Sequence, residues 1–142
     1  MAQSALFFLI VLDDDVRTRI LSMLKKHKNF KVRRVFPDDL SASPQREINS
    51  IILIDCLSVL TYGVTVISSL QSSCPDSKLV LLCRQDNRHL IGRVMELGAY
   101  GCILEPYEEW ELLTMVRLIL SGRGVDRTMN AARTRRQKDA KE

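Results

Sequence analysis

The sequence lacks the marks of several large protein classes. Its first apolar stretch, residues 5–12, is too short to span a bilayer, and no later stretch is long enough either. No basic segment precedes that stretch and no small-residue cleavage site follows it, so it reads as a buried strand and not as a signal peptide. There is no C-x-x-C and no Cys/His pair at zinc spacing. The four cysteines are therefore expected as free thiols in a reducing cytoplasm, with Cys56, Cys83 and Cys102 in or beside apolar runs and Cys74 in a loop. No glycine-rich phosphate loop follows the first apolar run, and no nucleophile–base pair is visible, which leaves an enzyme reading weak.

What is present is a chain of 142 residues, the length of one domain, with 46% hydrophobic residues to build a core. The net charge of +4 is unevenly placed. Residues 121–142 carry seven basic and three acidic side chains, so the remainder is neutral and the basic character belongs to the tail. The expected division is a domain over residues 1–121 and a basic tail over 122–142, either a linker or a helical extension. The tail has no aromatic residue for base stacking, which disfavours nucleic acid as a partner.

Five short apolar runs alternate with stretches of helical period. Strands are expected over 5–12, 30–36, 50–57, 78–83 and 100–104. Helices are expected over 16–27, 61–73, 87–97 and 108–120. Residues 37–43 read as a loop, and Ser43-Pro44 followed by Glu47 reads as the start of a short helix. Such alternation predicts a (βα)5 α/β fold with a doubly wound parallel sheet. Ligands in these sheets sit at the carboxyl ends of the strands. The loops to search there carry Asp13, Asp14 and Asp15 after the first strand and Asp55 after the third. Clustered carboxylates suit Mg²⁺, and without a cation or a basic side chain they repel one another. Asp15 also fits a helix N-cap.

From residue 6 to residue 120 the chain resembles the CheY-like response-regulator receiver family. The resemblance rests on an ordered set of residues: Asp13-Asp14, Arg19 in the first helix, Asp55, Gly63, Gly98-Ala99-Tyr100-Gly101 and Glu105-Pro106. It implies the flavodoxin-like strand order 2-1-3-4-5. It further implies that Asp14, Asp55 and the backbone carbonyl of Leu57 hold Mg²⁺, with Asp13 acting through water. Asp55 would take a phosphoryl group from a histidine kinase or a phosphotransfer protein.

Several positions depart from the family pattern. Glu105 stands where the family has lysine, and losing a preorganised donor of that kind costs about 3–4 kcal/mol in a transition state. Cys83 replaces the switch Ser/Thr, Cys102 replaces the switch aromatic, and Arg84 fills a position that is usually small. The proline usual after the phosphoacceptor is absent from Cys56-Leu57-Ser58-Val59. Arg84 is expected either to pair with Glu105 or to lie across the carboxylates as a built-in site cation. These departures suggest a pseudo-receiver that signals through protein–protein contacts. The alternative is a conventional Mg²⁺-dependent receiver phosphorylated on Asp55. The helix over 108–120 carries more apolar residues than one core face needs, Trp110 among them. An effector or homodimer interface is expected there, together with the strand over 100–104 and the helix over 87–97.

Overall fold

In a computed structural model, residues 4–42 and 50–122 are described. The expected basic tail beyond residue 122 and the helix start at Ser43-Pro44 lie outside these residues. The strands are β1 (Ala5–Ile10), β2 (Phe30–Arg34), β3 (Ser50–Asp55), β4 (Lys78–Cys83) and β5 (Gly101–Leu104). They form one sheet in the order β2-β1-β3-β4-β5, and every pairing is parallel. The helices are α1 (Asp14–Leu24), α2 (Pro37–Ala42), α3 (Cys56–Tyr62), α4 (Thr65–Ser73), α5 (Ile91–Glu96) and α6 (Glu109–Ser121), with a 3₁₀ segment, Gln85–Leu90, leading into α5. The α/β fold and the strand order expected from the sequence are both present.

The continuous apolar runs have a simple cause. All six residues of β1 and all six of β3 are buried, because helices cover both faces of the sheet. Side chains alternate between two cores. Phe7, Leu9, Leu53 and Leu82 face one side, where Val16 and Ile20 of α1 and Leu112 and Val116 of α6 close over them. Phe8, Ile10, Ile54 and Leu81 face the other, under Leu40, Val59, Ile67, Leu70 and Val94. β2 is an edge strand, and its Lys31, Arg33 and Arg34 are exposed.

Three local expectations are corrected. Residues 37–42 form a helix, α2, instead of a loop. Pro37 occupies the first helical position, Asp38 and Asp39 fill the first turn, and Asp39 Oδ2 accepts from the N–H of Phe36 at 2.9 Å. β3 ends at Asp55 and not at residue 57, since α3 starts at the next residue. The expected helix over 61–73 is two helices, divided at Gly63. That residue has φ of 91° and caps α3 through its N–H to the carbonyl of Val59 at 2.8 Å.

The apolar residues of α6 are only partly taken up by the core. Leu112, Val116 and Ile119 are buried, while Trp110 is 66% exposed. Among the described residues no helix is long and apolar enough to cross a membrane.

Leu53 lies on the central strand, 1% exposed, with packed helices on its side of the sheet. Leu53→Ala is expected to cost about 3 kcal/mol, read as a lower urea midpoint with an unchanged slope.

Candidate functional site

The carboxyl ends of β1, β3 and β4 bring Asp13, Asp55 and Arg84 to one cleft of about 200 Å³, whose walls include Leu57, Leu60 and Tyr107. Asp55 is 1% exposed. Its two oxygens accept from the backbone N–H groups of Leu12 at 3.3 Å and Asp13 at 2.9 Å. Its Oδ1 also accepts from the N–H of Ser58 at 3.0 Å and lies against the Ser58 hydroxyl. Asp55 is thus the N-cap of α3, and it also ties the loop after β1 to the end of β3. Ser58 is a site residue that the sequence reading passed over. Its signal was the Asp-x-x-Ser spacing, which lets a cap and the third helical residue reach each other.

Leu57, expected to offer its carbonyl to a metal, stands in the first turn of α3. Leu57 lines the cleft together with Asp13 and Asp55. Asp14, expected as a metal ligand, stands in the first turn of α1. Its carboxylate is 84% exposed and pairs with Arg17. Among the described residues no group of three or more His, Cys, Asp or Glu side chains is gathered to hold a metal ion.

The N-cap of α1, expected on Asp15, is Asp13. Asp13 Oδ1 accepts from the N–H groups of Asp15 at 3.1 Å and Val16 at 3.3 Å. Its Oδ2 takes Arg84, with Nη2 at 2.6 Å and Nε at 2.8 Å. The contact crosses from the end of β4 to the end of β1, over the mouth of the cleft. Of the two roles expected for Arg84, the pairing with Glu105 is not made. Glu105 Oε1 instead accepts from the backbone N–H of Gln85 at 3.1 Å, and the Gln85 side chain donates to the Glu105 carbonyl at 2.7 Å. Arg84 and Glu105 still line one shallow cleft with Arg19 and Tyr107.

Around the cleft, burial raises several titratable groups. Cys56 and Cys83 are buried and Cys102 is half-buried. Burial, the largest influence on each, pushes the thiols of Cys56 and Cys83 above the ordinary 9.0. It pushes that of Cys102 up to about 12. Tyr107, 4% exposed, is likewise raised by burial and then by Glu105, and its hydroxyl has no hydrogen-bond partner among the described residues. The Cys83 thiol, a weak donor, is directed at the carbonyls of Arg84 at 3.4 Å and Asn87 at 3.3 Å.

Two measurements follow from this arrangement. If the acids were a self-repelling cluster, removing one would stabilise the fold. Because Asp55 instead satisfies three backbone donors, Asp55→Ala should destabilise the metal-free protein by about 3 kcal/mol in chemical denaturation. The raised thiols and Tyr107 set the response to base. A group held protonated only in the folded state keeps its contribution below its unfolded value and loses it as pH rises toward its folded one. Stability should therefore fall from pH 9.0 toward about 12, the window of Cys102. Unfolding midpoints measured across that range, with Cys102→Ala less steep, would show it.

No protein-family model and no curated protein sequence matches the chain. Solved structures do. A response regulator from Thermotoga maritima has a TM-score of 0.68 at 20% identity, covering 84% of this chain and 99% of that one. The N-terminal signal receiver domain of a two-component response regulator from Bacteroides fragilis has a TM-score of 0.68 at 24% identity, covering 84% and 100%. The receiver domain of the sensor histidine kinase PA1611 from Pseudomonas aeruginosa, with a magnesium ion in its active site cleft, has a TM-score of 0.68 at 15% identity, covering 84% and 99%. Strand order, helix placement and these likenesses agree, and the chain has the fold of the response-regulator receiver domains.

Proposed function

We propose that the chain is a receiver-type signalling module of two-component systems that works through protein–protein contacts, and that its acid site is held in one state by an internal cation. It is not an enzyme in this reading. The observation that carries it is the Arg84 guanidinium on Asp13 Oδ2, with Nη2 at 2.6 Å. In the Pseudomonas aeruginosa receiver a magnesium ion occupies the active site cleft. Here Arg84 supplies positive charge beside the acids, so that their repulsion is relieved without a metal.

Other features support the same reading. The oxygens of Asp55 are engaged by backbone donors from the loop after β1 and from the first turn of α3, which holds the carboxylate back from an incoming phosphoryl group. Asp14 faces solvent. Glu105 brings negative charge to the shallow cleft that it shares with Arg84, where an approaching phosphate would be repelled. Mg²⁺ fits this donor set only in part: Asp13 and Asp55 offer oxygens at one cleft, but the metal has to displace Arg84 from Asp13. Mg²⁺ and the guanidinium are thus competitors for one carboxylate.

The partners of such a module are an effector protein or a second copy, docking through β5, α5 and α6, where Trp110 is exposed. A histidine kinase or phosphotransfer protein is the partner in the alternative reading, in which Asp55 accepts a phosphoryl group. That alternative is favoured by one feature, the shared cleft of Asp13 and Asp55.

The test is exposure to acetyl phosphate or a phosphoramidate with Mg²⁺, followed by intact mass, with Asp55→Asn as the control. No phosphoryl adduct is expected on the unmodified chain at any Mg²⁺ concentration. An adduct that disappears in Asp55→Asn would overturn the reading in favour of a working phosphoacceptor. Alongside it, Arg84→Ala should tighten Mg²⁺ binding in a calorimetric titration, because the guanidinium no longer competes for Asp13.

A further inference from the structure

Two thiols meet beneath the cleft, and the reading above makes no use of them. Asp55 of β3 pairs with Leu82 of β4, so the next residues, Cys56 and Cys83, continue side by side past the strand ends. Both are buried in the same core. Their sulfurs are 2.8 Å apart, only ~0.8 Å beyond a disulfide bond. Cys56 also lines the cleft of about 200 Å³, the side from which a small molecule would approach the pair. Cys102 interacts with Cys83 from β5, while Cys74 is the C-cap of α4.

We propose that Cys56 and Cys83 are a dithiol modification site that a small peroxide entering the cleft converts to a disulfide. The Cys56 sulfur attacks one peroxide oxygen. A sulfur–oxygen bond forms, the oxygen–oxygen bond breaks, and the first water leaves, giving a sulfenic acid. The Cys83 sulfur then attacks Cys56. A sulfur–sulfur bond forms, the sulfur–oxygen bond breaks, and the second water leaves. Two thiols and one hydrogen peroxide become one disulfide and two waters. The two sulfurs together give up two electrons, and the thiol protons end in the waters. Burial keeps both sulfurs protonated, so the reaction is slow compared with that of an exposed sensor thiol. The product would clamp the first turn of α3 to the end of β4, directly behind Asp55. Nothing in this step depends on whether Asp55 accepts phosphate.

The experiment uses the folded full-length chain, reduced, freed of reductant and treated with hydrogen peroxide. The mass should fall by about 2 Da as two thiols are lost to a disulfide. Peptide mapping should join Cys56 to Cys83, and dithiothreitol should restore the mass. Cys102→Ala should still form the bond, and neither Cys56→Ala nor Cys83→Ala should. Mapping on the unmutated chain decides the matter even if a variant fails to fold. Four thiols still free after prolonged treatment would overturn the proposal. So would a disulfide mapped to Cys74 or Cys102, or oxidation that stops at oxygen adducts on Cys56.

Discussion

A carboxylate sealed from water has to be given hydrogen-bond donors, and the arrangement of this site depends on how Asp55 finds them. Its partners come from the loop after β1 and from the first turn of α3. The helix can therefore begin one residue after the strand, and Leu57 and Leu60 become cleft walls. A buried carboxylate that lost these donors would cost several kcal/mol, so the loop after β1, the end of β3 and the start of α3 are held as one unit. Asp13 is positioned by the same unit, since its own N–H is one of the donors.

The charge problem at the strand ends is then solved locally. Three consecutive aspartates face three different duties: Asp13 caps α1 and binds Arg84, Asp14 reaches out to Arg17, and Asp15 stays in the exposed first turn. All three also lie at the positive end of the α1 dipole, where negative charge is stabilised. Glu105 is drawn off by Gln85. The result is a cleft whose acids are already partnered by the chain itself.

Much of this was legible in the sequence. Uninterrupted apolar runs located β1 and β3, because a strand buried on both faces has no polar side chain to interrupt it, while the alternation of apolar and basic residues marked the edge strand β2. The carboxyl-end rule brought Asp13, Asp55 and Arg84 to the right place. Which aspartate of the triplet turns inward was not legible, because successive helix positions differ by about 100° and the answer depends on where the helix starts. The start of α3 was missed for a related reason: a strand-ending Asp55 and a helix-capping Asp55 are the same letter. Helix α2 was missed although its signal was present, Pro37 with Asp39 two residues on. The partner of Arg84 needed the geometry of two strand ends, which no spacing along the chain contains.

The exposed edge of the sheet bears on how copies of this chain can meet. Among the described residues β2 is paired on one side only, and it displays Lys31, Arg33 and Arg34. Two molecules approaching strand to strand there would set these cations against their own kind. The edge thus opposes growth of a continuous sheet from one molecule to the next. Any lasting self-association of the folded chain is steered toward its helical surfaces, and a foreign segment adding to this edge would need acidic side chains.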